Sequence, residues 1–543
     1  MPAVLPLVCS ALLQACALQE EAQLVPANAT IGSKFGQSVD AGSDRVIVGA
    51  PGQPSPLGGA RGAVYVYDRI GPIWVQQAEL GDVTYPSPYG LFGFSVSLDG
   101  DQLAVGAPEV YAPAQYGFGA AYVFKRVAGT WTQETIITPS APVGDYIVGA
   151  GRSVDLLGDT LLVGCAYKVT PDPQVRGRAL VYTRGPTGWT QQWVMKFDAI
   201  DPSETALGVS VLLHGDEALI GSPIANGVEP LAGAVYVYQR IGSAWFMKQK
   251  LVASDGRTDD MFGWSLAGDG DTILVGAWRA DHPLEADTGA AYVFVRLGKQ
   301  WVESRKLTST SHEQFDQTGA SVAVDDGAFV LGASGYSRLF LFTRNGNNYL
   351  EHLQIEPKNG YLGQVGRSVS MFGGTLAVGA PATPAGTGSA YVYSVDTSNL
   401  IVNYYCSPKP TAGNCDPQIH HVNQPSVTGS LVGEKYVVRA IPVHGQSKGM
   451  LMYSTSGPAS LPYQGGTLCI NPPVSRTILL DTHGTGPCWG ILELDFNTWI
   501  SSGQDPSLKA GQQVWFQYWY RDPASTTSST LGLTAGLSAV ICP

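Results

Sequence analysis

Apolar and polar residues of this chain alternate in short runs separated by Gly, Asp and Pro. In Phe92-Gly93-Phe94-Ser95-Val96-Ser97-Leu98 the two classes alternate, and Asp99-Gly100-Asp101 follows. Leu103 to Pro108 is then almost wholly apolar and closes with Gly-Ala-Pro, Ala120 to Phe124 follows, and a last run opens at Trp131. Period-two alternation predicts strands, and an Asp-Gly turn between two such runs predicts antiparallel neighbours.

The pattern returns at a fixed interval. A Gly-x-Ser-Val core stands at Gly36-Gln37-Ser38-Val39, Gly93-Phe94-Ser95-Val96, Gly151-Arg152-Ser153-Val154 and Gly208-Val209-Ser210-Val211. It continues at Gly263-Trp264-Ser265-Leu266, Gly319-Ala320-Ser321-Val322 and Gly366-Arg367-Ser368-Val369, with successive glycines 57, 58, 57, 55, 56 and 47 residues apart. Near-constant spacing marks a repeat architecture. Each unit supplies an apolar run ending in Gly and a small residue, an alternating third strand such as Ala63 to Tyr67, and a fourth opening on Trp74, Trp131, Trp189, Trp245, Trp301 or Tyr349. Four strands in up-and-down order make a propeller blade. The seventh unit lacks its fourth run, while Gln19-Glu20-Glu21-Ala22-Gln23-Leu24 resembles Gln76-Gln77-Ala78-Glu79-Leu80. The N-terminal segment is therefore expected to supply the missing outer strand and close the ring. The fold class expected is all-β: a seven-bladed β-propeller of four-stranded blades over residues 19–398, followed by a small β-sandwich over 403–543, where the period stops.

Composition narrows the setting. Charged residues are 14% of the chain, against 66 Gly and 36 Pro, which fits many short strands. A net charge of −12, with no run of three basic residues, argues against nucleic acid and anionic membranes as partners. Residues 1–18 carry no charge and are largely apolar, as in a secretory signal peptide. Leu12-Leu13-Gln14-Ala15-Cys16 resembles a lipobox, which makes Cys16 a candidate for lipidation and the membrane a partner only through that anchor. Five of the eight cysteines fall after residue 400, as expected of an oxidising compartment. Cys406 with Cys415 and Cys469 with Cys488 are candidate disulfides, leaving Cys542 over. Cys165, inside a crowded inner strand, reads as a buried thiol acting as a small hydrophobe.

The recurring Phe-Gly and Gly-Ala-Pro landmarks resemble FG-GAP repeats over residues 19–395, and the Gly-Asp turn and Tyr-Val-Tyr strand resemble the bacterial type. That resemblance, shared with the propeller head of integrin α chains, implies a ligand-contacting loop face. Integrin-type repeats often carry an Asp-rich calcium loop between the first two strands. Here that connection is a short turn, so Asp99, Asp101, Asp269 and Asp271 read as turn residues.

No catalytic constellation stands out. Gly263-Trp264-Ser265-Leu266-Ala267 lacks the second Gly of a nucleophile elbow. The serines Ser38, Ser95, Ser153, Ser210, Ser265, Ser321 and Ser368 occur once per blade, so they read as structural hydroxyls bonded to neighbouring backbone. His420 and His421 are adjacent on a strand and face opposite ways, which disfavours a shared metal. No cofactor or metal is expected. The loops between strands two and three, and between blades, carry Tyr111, Tyr116, Phe118, Tyr167, Trp278, Asp281 and His282, with Tyr85 and Tyr89. Aromatics beside polar groups suit contact with protein or carbohydrate. The function expected is an exported bacterial protein, extracellular or in the cell envelope, that binds or adheres through this loop face. The alternatives are a secreted propeller enzyme acting on polysaccharide as a lyase or hydrolase, and a purely structural envelope protein. The enzyme predicts acids, His or Tyr converging on one pocket.

Overall fold

The alternating runs form strands throughout. The computed structural model describes residues 18–54, 62–82, 90–111, 118–139, 148–166, 177–196, 206–281, 287–309, 314–345, 348–355, 363–395, 418–422, 436–443, 447–463, 466–482, 490–510, 512–521, 531–534 and 537–541. They fall into two compact units, one comprising Glu20–Arg344 and Glu356–Val395, the other Met1–Gln19, Asn345–Ile355 and Asp396–Pro543.

The first unit is a β-propeller of four-stranded blades. Its first blade runs Ser38–Ala41, Arg45–Ala50, Ala63–Ile70 and Ile73–Leu80, each strand antiparallel to the last. In the seventh blade, Ser368–Phe372, Thr375–Ala380 and Ser389–Val395 are completed by Leu18–Leu24 as the outer strand, as the likeness to Gln76–Leu80 predicts. First strands of successive blades lie side by side in a closed circuit, with Ser38–Ala41 next to Ser368–Phe372.

The repeated serines and glycines lock that circuit. Ser38 Oγ donates to the Gly93 carbonyl at 2.9 Å, Ser95 to Gly151 at 2.9 Å, Ser153 to Gly208 at 3.0 Å and Ser210 to Gly263 at 2.8 Å. Ser265 donates to Gly319 at 2.8 Å, Ser321 to Gly366 at 2.7 Å, and Ser368 returns to Gly36 at 3.0 Å. The structural reading of these serines therefore holds: seven hydroxyls link seven blades in a ring. The glycine of each Gly-Ala-Pro sits against the same bond. A Cβ on Gly221 would come within 2.0 Å of the Gly263 carbonyl and 2.2 Å of Ser210 Oγ. The Phe of Phe-Gly is a packing residue. Phe92 is fully buried, edge-on to Tyr122 at 5.0 Å, as Phe262 is to Tyr292 at 5.4 Å.

Deeper in the channel a second set of bonds crosses between blades. Asp40 accepts from Ser370 Oγ at 2.6 Å and the Leu98 N–H at 2.6 Å. Asp155 accepts from Ser97 Oγ at 3.0 Å and from the Leu213 N–H. The turn acids serve the same end. Asp99 accepts from the Gly158 N–H at 2.6 Å, and Asp269 from the Asp326 N–H at 3.0 Å, each on the next blade. Asp101 lies 3.3 Å from Arg45. Asp99 pairs directly with Gln102 across a two-residue turn, so these residues do not fit a calcium site.

On the blades' flanks, Glu217 joins blades four and five. It accepts from Lys248, from Arg296 at 2.9 Å and from the Trp301 indole at 2.9 Å. Arg296 also lies over the Trp301 ring at 4.1 Å. The tryptophan that opens a fourth strand carries an Arg over its ring at Trp74, Trp131, Trp189 and Trp301, and at Trp74 and Trp301 its N–H also reaches a carboxylate. Cys165 is buried, as read from the sequence, and burial pushes its thiol up to about 12.

The second unit packs two sheets across one apolar core. Gln418–Val422, Val437–Val443 and Gly490–Asp495 form one sheet; Lys448–Ser454, Gln513–Arg521 and Leu537–Val540 belong to the other. Val438, Ala440 and Leu492 from the first meet Leu451, Phe516, Tyr518 and Leu537 from the second. Tyr518 Oη donates across to the Val438 carbonyl at 2.7 Å. Alternation along Gln513–Arg521 sends Trp515 and Trp519 to the opposite face, against Met452, Leu468 and Ile470. A short helix, Phe496–Ser501, interrupts this all-strand unit: Asp495 caps it by accepting from the Asn497 N–H, and buries Phe496 4.9 Å from Phe516.

Candidate functional site

Each first strand is entered through a tight turn. The N–H of Gln37 bonds the Lys34 carbonyl, that of Arg152 bonds Gly149 and that of Arg367 bonds Gln364, each at 3.0 Å. Lys34 (φ 54°) and Gln364 (φ 51°) are left-handed there, as are Met261 (61°) and Gln317 (61°). The turn places one residue per blade where the channel opens, on the side from which the two-to-three and blade-to-blade connections emerge. Those residues are Gln37, Phe94, Arg152, Val209, Trp264, Ala320 and Arg367. They are the unspecified position of each Gly-x-Ser-Val.

Two arginines dominate this mouth. Arg152 belongs to the third blade and Arg367 to the seventh. Burial, with the charge of Arg367 added, pulls Arg152 below the usual arginine range, and burial does the same to Arg367. Arg152 lies over the Phe94 ring at 4.7 Å. Among the described residues neither guanidinium forms an ion pair with a carboxylate. Arg367 also lines a cavity of about 350 Å³ with Lys34, Gln37, Gln317, Gln364 and Ser334.

On the fifth blade Trp264 meets Trp278 edge-on at 5.5 Å. Trp278 takes the place that Pro108 fills in blade two, and its buried indole N–H has no partner among the described residues. The Arg279 guanidinium lies 5.7 Å from the Trp278 ring and pairs with Asp287 at 3.0 Å; Asp281 accepts from the Asp287 N–H at 3.0 Å.

The repeat geometry and the family comparison agree. The FG-GAP repeat family profile matches residues 18–67, 74–124 and 245–294. The chain carries FG-GAP repeats. No curated protein matches the chain. Each FG-GAP match takes in the outer strand of one blade and the first three strands of the next, beginning with the closing strand from residue 18, and FG-GAP repeats are typical of extracellular or surface proteins.

Of the residues singled out from the sequence of this FG-GAP protein, Trp278 and Asp281 lie on the mouth side, Trp278 directly against Trp264. Tyr111 and Phe118 are paired in register at the ends of strands Gln102–Tyr111 and Phe118–Val127. Tyr116, Tyr167, His282, Tyr85 and Tyr89 lie outside the described residues, as do Cys16, Cys406, Cys415, Cys488 and Cys542. Cys469 is buried on Gly466–Ile470, its N–H donating to Gln517 Oε1 at 3.0 Å. Sequence reasoning missed Phe94, Arg152, Trp264 and Arg367. The signal was present: within a constant inner-strand segment, x is the one position whose chemistry changes from blade to blade. Among the described residues no three His, Cys, Asp or Glu side chains gather to hold a metal ion, and no helix is long and apolar enough to cross a membrane.

Proposed function

We propose that this FG-GAP propeller is an exported bacterial binding or adhesion protein whose channel mouth, with its surrounding loops, contacts a protein or glycan ligand. One observation carries the reading. On the side where the channel opens, Arg152 lies over the Phe94 ring at 4.7 Å and Trp264 meets Trp278 edge-on at 5.5 Å, and no carboxylate pairs Arg152 among the described residues. The reading is of a non-enzyme, because the channel carboxylates Asp40 and Asp155 are engaged by donors from adjacent blades. A lipid on Cys16 and disulfides at Cys406–Cys415 and Cys469–Cys488 belong to the same proposal.

The test is a glycan and protein array probed with the full chain and with a Trp264→Ala/Trp278→Ala variant. A ligand held at micromolar concentration by the wild type, and at least tenfold more weakly by the variant, is the result expected. Absence of any ligand, with the propeller folded, would favour a structural envelope role. Release of new oligosaccharide ends from a bound polysaccharide would establish the enzyme instead.

A further inference from the structure

Neighbouring blades share a repeated contact on their flanks, and at one junction it is missing a member. In blades one to five an arginine of the third strand pairs in register with the tryptophan that opens the fourth: Arg69 with Trp74, Arg126 with Trp131, Arg184 with Trp189, Arg240 with Trp245 and Arg296 with Trp301. Four of these arginines reach a carboxylate on the preceding blade of the ring. Arg69 meets Glu21 at 2.6 Å, Arg126 meets Asp68 at 3.2 Å, Arg184 meets Glu134 at 2.8 Å and Arg296 meets Glu217 at 2.9 Å.

Arg240, on blade four, is the exception. The second, third and fourth strands of blade three, Thr160–Cys165, Arg178–Gly185 and Gly188–Met195, contain no acidic residue. Thr160 opens its strand as Glu217 opens Glu217–Ser222, and its hydroxyl accepts from Arg240 Nη1 at a long 3.4 Å. Arg240 Nε donates to the Gly242 carbonyl at 3.2 Å. Among the described residues Arg240 forms no ion pair. A cavity of about 450 Å³ opens at this junction, lined among others by Asp159, Thr160, Thr183, Arg184, Arg240 and Trp245. Its charges do not balance. Arg184 is answered by Glu134 and by Asp159 at 3.4 Å, which leaves the charge of Arg240 over.

We infer that this cavity is a binding site for a carboxylate, held by Arg240 in the place that Glu217 fills at the next junction. The site lies on the side of the one-to-two turns, which supply Asp159 and Gly215 to its wall, and uses no residue of the channel mouth. The repeat itself selects the chemistry: two carboxylate oxygens match the guanidinium fork, as they do where the partner is built in. One surplus charge suits a monoanion, since a polyanion would meet Asp159 and a molecule of net charge −12. Thr160 and Thr183 face each other in register, and hydroxyls that both donate and accept suit hydroxyls beside the carboxylate. The volume is that of a small organic ligand rather than of a carboxylate alone. The ligand class is therefore a small hydroxylated monocarboxylic acid, such as a sugar acid.

The experiment follows melting temperature and calorimetric affinity of the full chain and of Arg240→Gln and Thr160→Glu. The probes are sodium gluconate, the sodium salt of acetyl-glutamate amide, sodium sulfate and sodium chloride at equal ionic strength, with glucose as the uncharged control. Wild type is expected to bind gluconate and to gain stability from it over chloride, with no gain from glucose. Arg240→Gln is expected to bind gluconate at least tenfold more weakly. Thr160→Glu supplies the carboxylate from within the chain, so it should melt above wild type without ligand and cease to respond to gluconate; if it folds poorly, Arg240→Gln decides alone. Tighter binding of acetyl-glutamate amide than of gluconate keeps the carboxylate site, assigns it to an acidic side chain of a protein partner and overturns the sugar-acid class. An equal gain from sulfate overturns the carboxylate assignment. No gain from either carboxylate, or a gain undiminished in Arg240→Gln, overturns the site, and leaves the channel-mouth reading to be decided by the Trp264→Ala/Trp278→Ala variant.

Discussion

At the scale of single residues, the propeller depends on pairs of very small groups. Ser210 Oγ and the Gly263 carbonyl meet at 2.8 Å in a buried contact that leaves no room beside Gly221. Ser210→Ala removes one hydrogen bond and strands a carbonyl, at a cost of about 1–3 kcal/mol. Gly221→Ala forces a methyl group into backbone, and is expected to cost more than Ser210→Ala or to abolish folding. Denaturant midpoints of the two variants rank them. Asp155 gives a pH signature. Burial raises its carboxyl from 3.8 to about 6, against the hydrogen bonds from Leu213 and Ser97. The folded state holds that proton more tightly than the unfolded chain, so the aspartate's contribution to stability falls as pH rises from about 4 to 6. Asp155→Asn removes this dependence. Its stability relative to wild type should improve between pH 4.5 and 7, and an unchanged difference would show that the raised carboxyl has no thermodynamic weight. The role of the ring serines was legible because a hydroxyl repeated once per blade has no catalytic use. Phe94 and Arg152 were not legible, because nothing in Gly-x-Ser-Val says that x from blade two meets x from blade three.

At the scale of elements, strands and turns were largely readable from period-two alternation and Asp-Gly pairs. The helix Phe496–Ser501 was not: six residues offer too few turns for a periodic signal, and Asp495 as its cap is one residue among many Asp. Likewise the sequence showed that a tryptophan opens most fourth strands without showing its bond. Glu217, almost fully buried, gathers Lys248, Arg296 and the Trp301 N–H. Burial works to raise its carboxyl, but the bonds from Arg296, Lys248 and Trp301 outweigh it and hold it below the usual range. That contribution is complete above the ordinary carboxylate range and is lost as pH falls through the lowered value. Glu217→Ala takes the acceptor from Lys248 and the Trp301 N–H and leaves Arg296 with only the exposed Asp271, and should cost about 3 kcal/mol at pH 7. Chemical denaturation at pH 7 and pH 3 should show the gap to wild type shrinking in acid. The closing strand Leu18–Leu24 is tied by Glu21, which accepts from Arg69 at 2.6 Å and the Trp74 indole at 2.9 Å. Deleting it leaves Ser389–Val395 as an open edge. The shortened protein should melt lower and associate in a concentration-dependent way by light scattering, and a synthetic peptide of the strand should reverse both.

At the scale of the whole molecule, the seven-unit period reports the ring because each blade must present the same two faces to its neighbours. The number of repeats and the missing fourth strand were therefore visible before any coordinates. What the ring surrounds was not visible, because a channel mouth is assembled from one residue of every unit and no local window contains it. Attention went instead to long aromatic loops, of which Trp278 is the part that joins the mouth. The repeat architecture accounts for this division: the repeated residues hold blades together, and chemistry varies from blade to blade only where the repeat leaves a position free.

Closure through Leu18–Leu24 also sets an order of events. That strand leaves the ribosome among the first, while its partner Ser389–Val395 follows some 365 residues later. At ordinary synthesis rates the interval is roughly 20–70 s. During it, blades one to six can form by local pairing, but the first strand has no edge to join. Ring closure is thus a search by a seven-residue strand for the far end of the repeat array, and any factor that delays or shields that strand controls when the ring closes.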